Sequence, residues 1–259
     1  MSTIETYARS ARAFCGWLVE LEVLSCSPLS ERPFPRTDVP LPHLVSPALF
    51  EQIMRAGFPP QAPTPGAMRL LDRDRALLWV LFDTGITVTE LCALRVADLD
   101  QQTGMLRIKG KGGKEWQIAL GTTCLSHLRS YLRQMDPAIR SGLARRQAGG
   151  DPLFGTQGKE PLTKNGVTMV FARFRKRAAI SETPITPQIL RHSFALRYLQ
   201  TGGNPRGLQA LLGDEGIAPI RQYLRWHEQV LQEQRQPGGR DENKEDSPSF
   251  ACQTTTGDS

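Results

Sequence analysis

Gln188 and Arg191 stand three residues apart in the segment Thr186-Pro187-Gln188-Ile189-Leu190-Arg191-His192-Ser193-Phe194-Ala195, which opens like a helix. A threonine cap followed by proline at the first helical position marks the start. Residues three apart share one helical face, so both side chains lie near the positive end of the helix, a natural seat for a phosphate. Arginine clamps phosphate oxygens with paired N–H donors, whereas an amide donates a hydrogen bond but cannot shuttle a proton near neutral pH. His192, beside them, reads as a packed structural histidine. Two further groups could join such a site. Lys111 lies in Ile108-Lys109-Gly110-Lys111-Gly112-Gly113-Lys114-Glu115, which taken alone is a solvated Gly/Lys turn. It is not a phosphate-cradling Walker loop, because Glu115 follows Lys114 and the chain runs on into a strand. Tyr223 follows Leu211-Leu212-Gly213-Asp214-Glu215 and Ile217; a lone helical tyrosine is ordinarily a core or interface residue.

These side chains must be held by elements that the sequence also marks. An amphipathic helix is expected over 3–24, with Tyr7, Ala11, Phe14, Leu18 and Leu21 on one face. Five prolines from Pro28 to Pro42 then forbid helix or central strand, giving a linker over 27–44. A compact domain follows over 45–235. Ser46-Pro47 starts a short helix to Ala56, a Pro-rich loop runs over 59–65, and Asp72 is expected to cap a helix to Phe82 that Gly85 stops. Thr87-Val88-Thr89-Glu90 has the capping-box pattern and begins a helix over 88–94. Strands over 105–108 and 116–120 flank the glycine–lysine turn as a β-hairpin. Helices are expected over 122–135, 163–179, 186–200, 204–212 and 219–234, with a basic loop over 141–151. The fold class is mainly α with a small antiparallel β-sheet (α+β). The polar stretch over 236–259 has no core-forming pattern and reads as disordered.

In order along the chain these segments resemble the tyrosine recombinase (phage integrase) family. Leu81-Phe82-Asp83-Thr84-Gly85-Ile86-Thr87-Val88-Thr89-Glu90-Leu91 resembles the family's first box, with Thr87 where the family has a catalytic arginine. The Gly-Lys-Gly turn resembles its minor-groove hairpin. Thr186 to Ala195 resembles its Pro-His-x-Leu-Arg-His box, with Gln188 at the histidine and Arg191 at the second arginine. Asp214 stands where that family has histidine or tryptophan, nine residues before the tyrosine. The resemblance implies metal-free DNA transesterification with no cofactor. Tyr223 would be the nucleophile, Arg191 the phosphate clamp and Lys111 the acid for the leaving 5′ hydroxyl. Thr87, Gln188 and Asp214 are then degenerate catalytic positions, and Asp214 would repel a phosphate. Removing one preorganised donor slows a reaction roughly 100- to 1,000-fold, so cleavage is expected to be impaired. The family's N-terminal DNA clamp has several helices; residues 1–26 supply one, read as a remnant.

Composition agrees with a DNA partner. The net charge is +6, and the tail from Asp241 carries five acids against Lys244, leaving a more basic body. Lys114, Lys164, Arg173, Arg175, Lys176 and Arg177 are the candidate DNA contacts; without the resemblance they would read as a solvated face. Five scattered cysteines without a CxxC pair and four histidines argue against a metal site and for a reducing compartment. No apolar run approaches the roughly 20 residues of a membrane span, so a cytoplasmic, nucleoid-associated protein is expected. The partners implied are double-stranded DNA and further protomers on it, as dimer or tetramer, or an active family member. Two other readings stay open: a DNA-binding remnant or regulator that does not cut, and a helical protein–protein module.

Overall fold

The computed structural model describes residues 3–30, 40–58, 64–135, 150–156, 160–179, 185–213 and 217–235. The chain divides into two compact units, Met1–Pro42 and His43–Ser259. The first holds helix α1 (Thr3–Glu20). It stops four residues short of the expected end because Glu22 turns left-handed (φ 58°), letting the Val23 N–H reach back to the Leu18 carbonyl at 3.0 Å. Tyr7, Phe14 and Trp17 are exposed on it.

The second unit contains α2 (Pro47–Gly57), α3 (Pro65–Thr84), α4 (Val88–Ala93), strands β1 (Met105–Lys109) and β2 (Glu115–Ala119), α5 (Thr122–Arg133), α6 (Lys164–Arg177), α7 (Pro187–Gln200), α8 (Pro205–Leu212) and α9 (Ile217–Arg235). The expected mainly helical fold with one antiparallel hairpin is what forms. Caps set most starts. Ser46, Thr163, Thr186 and Asn204 each accept the backbone N–H three residues on, and all but Thr163 precede a proline.

Two helix starts are corrected as well. The third helix begins at Pro65, capped by Thr64, and not at Asp72. Thr64-Pro65 carries the same cap-and-proline signal as Thr186-Pro187, but the prolines before it made the stretch read as loop. Asp72 is buried inside the helix instead, paired with Arg75 at 3.3 Å and hydrogen-bonded by Gln134. The last helix likewise opens at Ile217, two residues before Pro219. The basic loop over 141–149 and the stretch over 236–259 lie outside the described residues.

Helix α3 is the centre of the unit. Ala76, Leu77, Leu78, Trp79, Val80, Leu81 and Phe82 are all buried, so the helix is enclosed on every side. It packs against α5 and α7. From α2, Phe50 stacks on Phe82 with centroids 4.0 Å apart and meets Trp79 edge-on at 4.9 Å. The hairpin pairs Met105 with Ala119 through Lys109 with Glu115, and Leu106, Ile108 and Ile118 face the core. Ser193 ties α7 to the start of the unit by accepting from the Val45 N–H at 2.9 Å.

Gly85 ends α3 in the left-handed region (φ 64°), and a Cβ there would lie 2.5 Å from the Phe194 ring. Both facts exclude a side chain: the backbone strain and the overpacking each cost about 1–2 kcal/mol or more. Gly85→Ala is therefore expected to lose about 2–4 kcal/mol of stability in urea unfolding. Gly66→Ala, where an added Cβ meets nothing within 4 Å, is expected to be neutral or slightly stabilising in the same measurement.

Candidate functional site

Arg191 joins the parts of the chain that the sequence singled out. Its Nη1 donates to the Gly85 carbonyl at 2.9 Å and its Nη2 to the Leu212 carbonyl at 3.1 Å. Those carbonyls belong to the C-terminal ends of α3 and α8, where the helix dipoles are negative. A cation is favoured there, and two of its five donors fix the plane of the guanidinium. The turn leading to Thr87 and the turn leading to Asp214 are thereby brought to one arginine on α7.

Tyr223 reaches the same helix one residue on. Its hydroxyl lies 3.1 Å from His192 Nδ1, and its ring is 4% exposed. His192, Tyr223 and Trp226 form an aromatic triangle, with His192 edge-on to Trp226 at 5.1 Å and Tyr223 to Trp226 at 5.7 Å. Burial first, then the neighbouring Arg191 charge, lowers His192 from 6.5 to about 4. The imidazole is thus neutral at physiological pH, and with its proton on Nε2 the Nδ1 accepts from the phenol.

The hairpin meets this junction through Trp116. A Cβ on Gly213 would lie 2.3 Å from the Trp116 ring, and one on Gly110 would lie 2.6 Å from it. Only glycine lets the indole sit between the base of the glycine–lysine turn and the left-handed end of α8 (φ 63°). The Trp116 indole N–H is buried without a hydrogen-bond partner. Lys111 belongs to the turn Lys111–Gly113 at the hairpin tip; its side chain is outside the described part. Asp98 steadies the hairpin's outer strand, accepting from Arg107 at 3.0 Å with Lys109 Nζ at 3.6 Å.

Thr87 is the N-cap of α4. Its hydroxyl accepts from the Glu90 N–H at 3.3 Å, and the Glu90 carboxylate accepts from the Thr87 N–H at 2.7 Å, the expected capping box. Gln188 is exposed in the first turn of α7. Asp214 lies outside the described residues. Lys114, Lys164, Arg175, Lys176 and Arg177 are exposed, and the last three occupy the final turn of α6, where a helix dipole also favours them. Arg173 differs: its Nη2 pairs with the buried Asp74 at 3.1 Å, a carboxylate that Arg73 also holds. Among the described residues no cluster of three or more His, Cys, Asp or Glu could hold a metal ion. Nor is any described helix long and apolar enough to cross a membrane.

Sequence reasoning missed two contributors. His192 was read as packing only, yet it holds the tyrosine hydroxyl; the pair is 31 residues apart and no periodicity links them. Trp116 was read as an ordinary strand residue, and its one signal was the pair of glycines it contacts.

Comparison with known proteins gives the same grouping. The model of the phage integrase family matches residues 67–229. A tyrosine recombinase XerD of Listeria innocua is 32% identical over 221 residues, covering 85% of this chain and 70% of that protein. A tyrosine recombinase XerC of Xanthomonas axonopodis pv. citri is 30% identical over 214 residues, covering 83% of this chain and 64% of its own length. Among solved structures, XerA recombinase matches 91% of this chain and 78% of its own with TM-score 0.58 at 22% identity. XerH site-specific recombinase bound to palindromic difH substrate matches 75% of this chain and 53% of its own, with TM-score 0.58 at 23% identity. At those identities the structural likenesses speak for the fold.

The burial of His192 makes a stability prediction. Folding holds the ring neutral down to about 4, while an unfolded chain protonates it near 6.5. Its contribution is complete above the unfolded value and is lost as pH falls from 6.5 toward 4. The groups facing it are Arg191 on its own helix and the Tyr223 phenol of α9. Discounted for partial exposure, the loss is about 1–2 kcal/mol. His192→Phe removes the titration, so the parent's advantage over the variant in urea midpoints is expected to shrink by about that amount across this window. A gap independent of pH would contradict the burial.

Proposed function

The chain belongs to the phage integrase family of tyrosine recombinases, and from that premise we propose that it binds duplex DNA and breaks and rejoins strands through Tyr223, slowly. The observation that carries the reading is the position of Arg191. One guanidinium is tied to the turns before Thr87 and Asp214, and the next residue holds the Tyr223 hydroxyl. In the family's reaction the tyrosine oxygen attacks a backbone phosphorus and the bond to the 5′ oxygen breaks. The product is a 3′-phosphotyrosine link and a free 5′ hydroxyl, which conserves the bond energy, so neither nucleotide hydrolysis nor a cofactor is required. Arg191 would bind the non-bridging oxygens, and Lys111, at the hairpin tip, would protonate the leaving oxygen.

The slowness follows from three positions. Thr87 has no cationic donor for the charge that builds on phosphorus, and its hydroxyl is already used as a cap. Gln188 can donate to a phosphate but cannot exchange a proton with it. Asp214 brings a negative charge toward a negative ligand. Losses of grouped donors are not additive, but each alone is worth roughly 100-fold or more. Lys114, Lys164, Arg175, Lys176 and Arg177 supply the backbone contacts, with Arg173 contributing when it leaves Asp74. On DNA the chain works as a homo-oligomer or beside an active family member that completes the site, in the cytoplasm with the nucleoid. Residues 1–26 contribute a helix to the DNA clamp, and a linker over 27–44 joins it to a catalytic domain over 45–235.

Covalent trapping on a duplex nicked beside the cleavage point tests this. A trace adduct is expected in the parent, none in Tyr223→Phe, and at least about tenfold more in Thr87→Arg, in spite of roughly 1 kcal/mol lost with the cap. Duplex affinity should fall steeply with added salt. Binding without adduct in either the parent or Thr87→Arg would make the chain a non-cutting DNA-binding regulator. Affinity indifferent to salt would remove DNA from the reading and leave a protein–protein module.

A further inference from the structure

Attack by a phenol requires that its proton pass to a base within reach of the oxygen. Thr87 is committed to its capping box, Gln188 is an amide, and Lys111 belongs to the leaving-group side of the reaction. We infer that His192 is a catalytic residue, the base that accepts the Tyr223 proton through Nδ1. The inference rests on the strand-cleavage reading and names the group it lacks.

Geometry carries it. The Nδ1 atom is 3.1 Å from the phenol oxygen, within the reach required of a general base before any substrate is bound. The ring is held on two sides, by its place on α7 and by the buried Trp226 against its edge. Being neutral at physiological pH, it offers a lone pair at Nδ1 in its Nε2–H tautomer. Arg191 is the adjacent residue, so a phosphate clamped there arrives about 100° around the same helical turn from the phenol's partner. That phosphate also offsets the Arg191 cation, which next to burial is the influence keeping protons off the imidazole. The base therefore strengthens when substrate binds.

The step balances. As the Tyr223 oxygen bonds to phosphorus, its proton passes to Nδ1 and the ring becomes imidazolium. The P–O5′ bond breaks and the leaving oxygen takes a proton from Lys111. In rejoining, a 5′ hydroxyl displaces the tyrosine, Lys111 takes back its proton and His192 returns one to the phenolate. Because the phenol is buried without DNA, a displacement of α9 must bring it to the phosphate while its oxygen stays within reach of Nδ1.

The test is adduct formation on the nicked duplex by His192→Ala, in the parent chain and in the Thr87→Arg background, with free imidazole or pyrazole added. The variant is expected to form adduct about 100-fold more slowly while binding duplex within about twofold of its parent. Imidazole should recover at least about tenfold, whereas pyrazole, of the same shape but a much weaker base, should not. Equal rescue by both would mean that the ring only fills space, and a rate within roughly threefold of the parent would remove His192 from the reaction; either overturns the inference. Duplex binding with no adduct in either background overturns the cleavage reading itself, and this inference with it, an outcome distinct from the other two.

Discussion

A guanidinium set between two helix ends is the constraint on which the site depends. Arg191 donates to the Gly85 and Leu212 carbonyls. Hydrogen bonds from a charged donor contribute about 1.5–3 kcal/mol each, and losing them would leave two helix-end carbonyls without that donor. The arrangement also fixes chemistry. Two of the Arg191 donors go to carbonyl dipoles at helix ends, which orient the guanidinium plane. The same bonds close α3 and α8 onto α7 at the arginine.

The rest of the unit makes that junction stiff. Arg197, two turns along α7, donates to the Phe82 carbonyl at 2.9 Å and lies over the Phe82 ring at 4.2 Å, so α7 grips the end of α3 twice. Beside it Asp83 accepts from the Gly121 N–H at 2.6 Å, which pins the start of α5. Burial raises the Asp83 pKa despite that bond and the nearby Arg197 cation. With α3 enclosed by the core, its C-terminal turn has little freedom to shift. Trp116 extends the same rigidity to the hairpin, since its ring fills the space left by two absent side chains.

How much of this could be read beforehand depended on the range of the interactions. Cap-and-proline pairs at Ser46, Thr186 and Asn204 are local, and so is the Thr87–Glu90 box; each appears in the structure as its sequence implies. Thr64-Pro65 is equally local, but a run of prolines ahead of it outweighed the cap, and Asp72 looked like a better start. What local sequence does not hold is the pairing of distant side chains. His192 with Tyr223, Arg173 with Asp74 and Trp116 with Gly213 are set by packing of whole elements. The segments that meet at Arg191 are marked in the sequence, while the bonds between them are not.

The three substituted positions also have a physical logic of their own. An arginine at the N-cap of α4 would place a cation at the positive end of a helix, which is unfavourable by about 0.3–1 kcal/mol. Threonine there instead satisfies two backbone donors with Glu90, worth about 1 kcal/mol. Exposed Gln188 leaves one less titratable group beside Arg191. The Gly85 turn and the Ser193 link with Val45 both form without the family's side chains at these positions. The scaffold therefore has no need of the side chains it lacks, because they would have acted on a phosphate and not on the protein. Threonine at the cap of α4 thus contributes to the fold whatever the chain does with a phosphate.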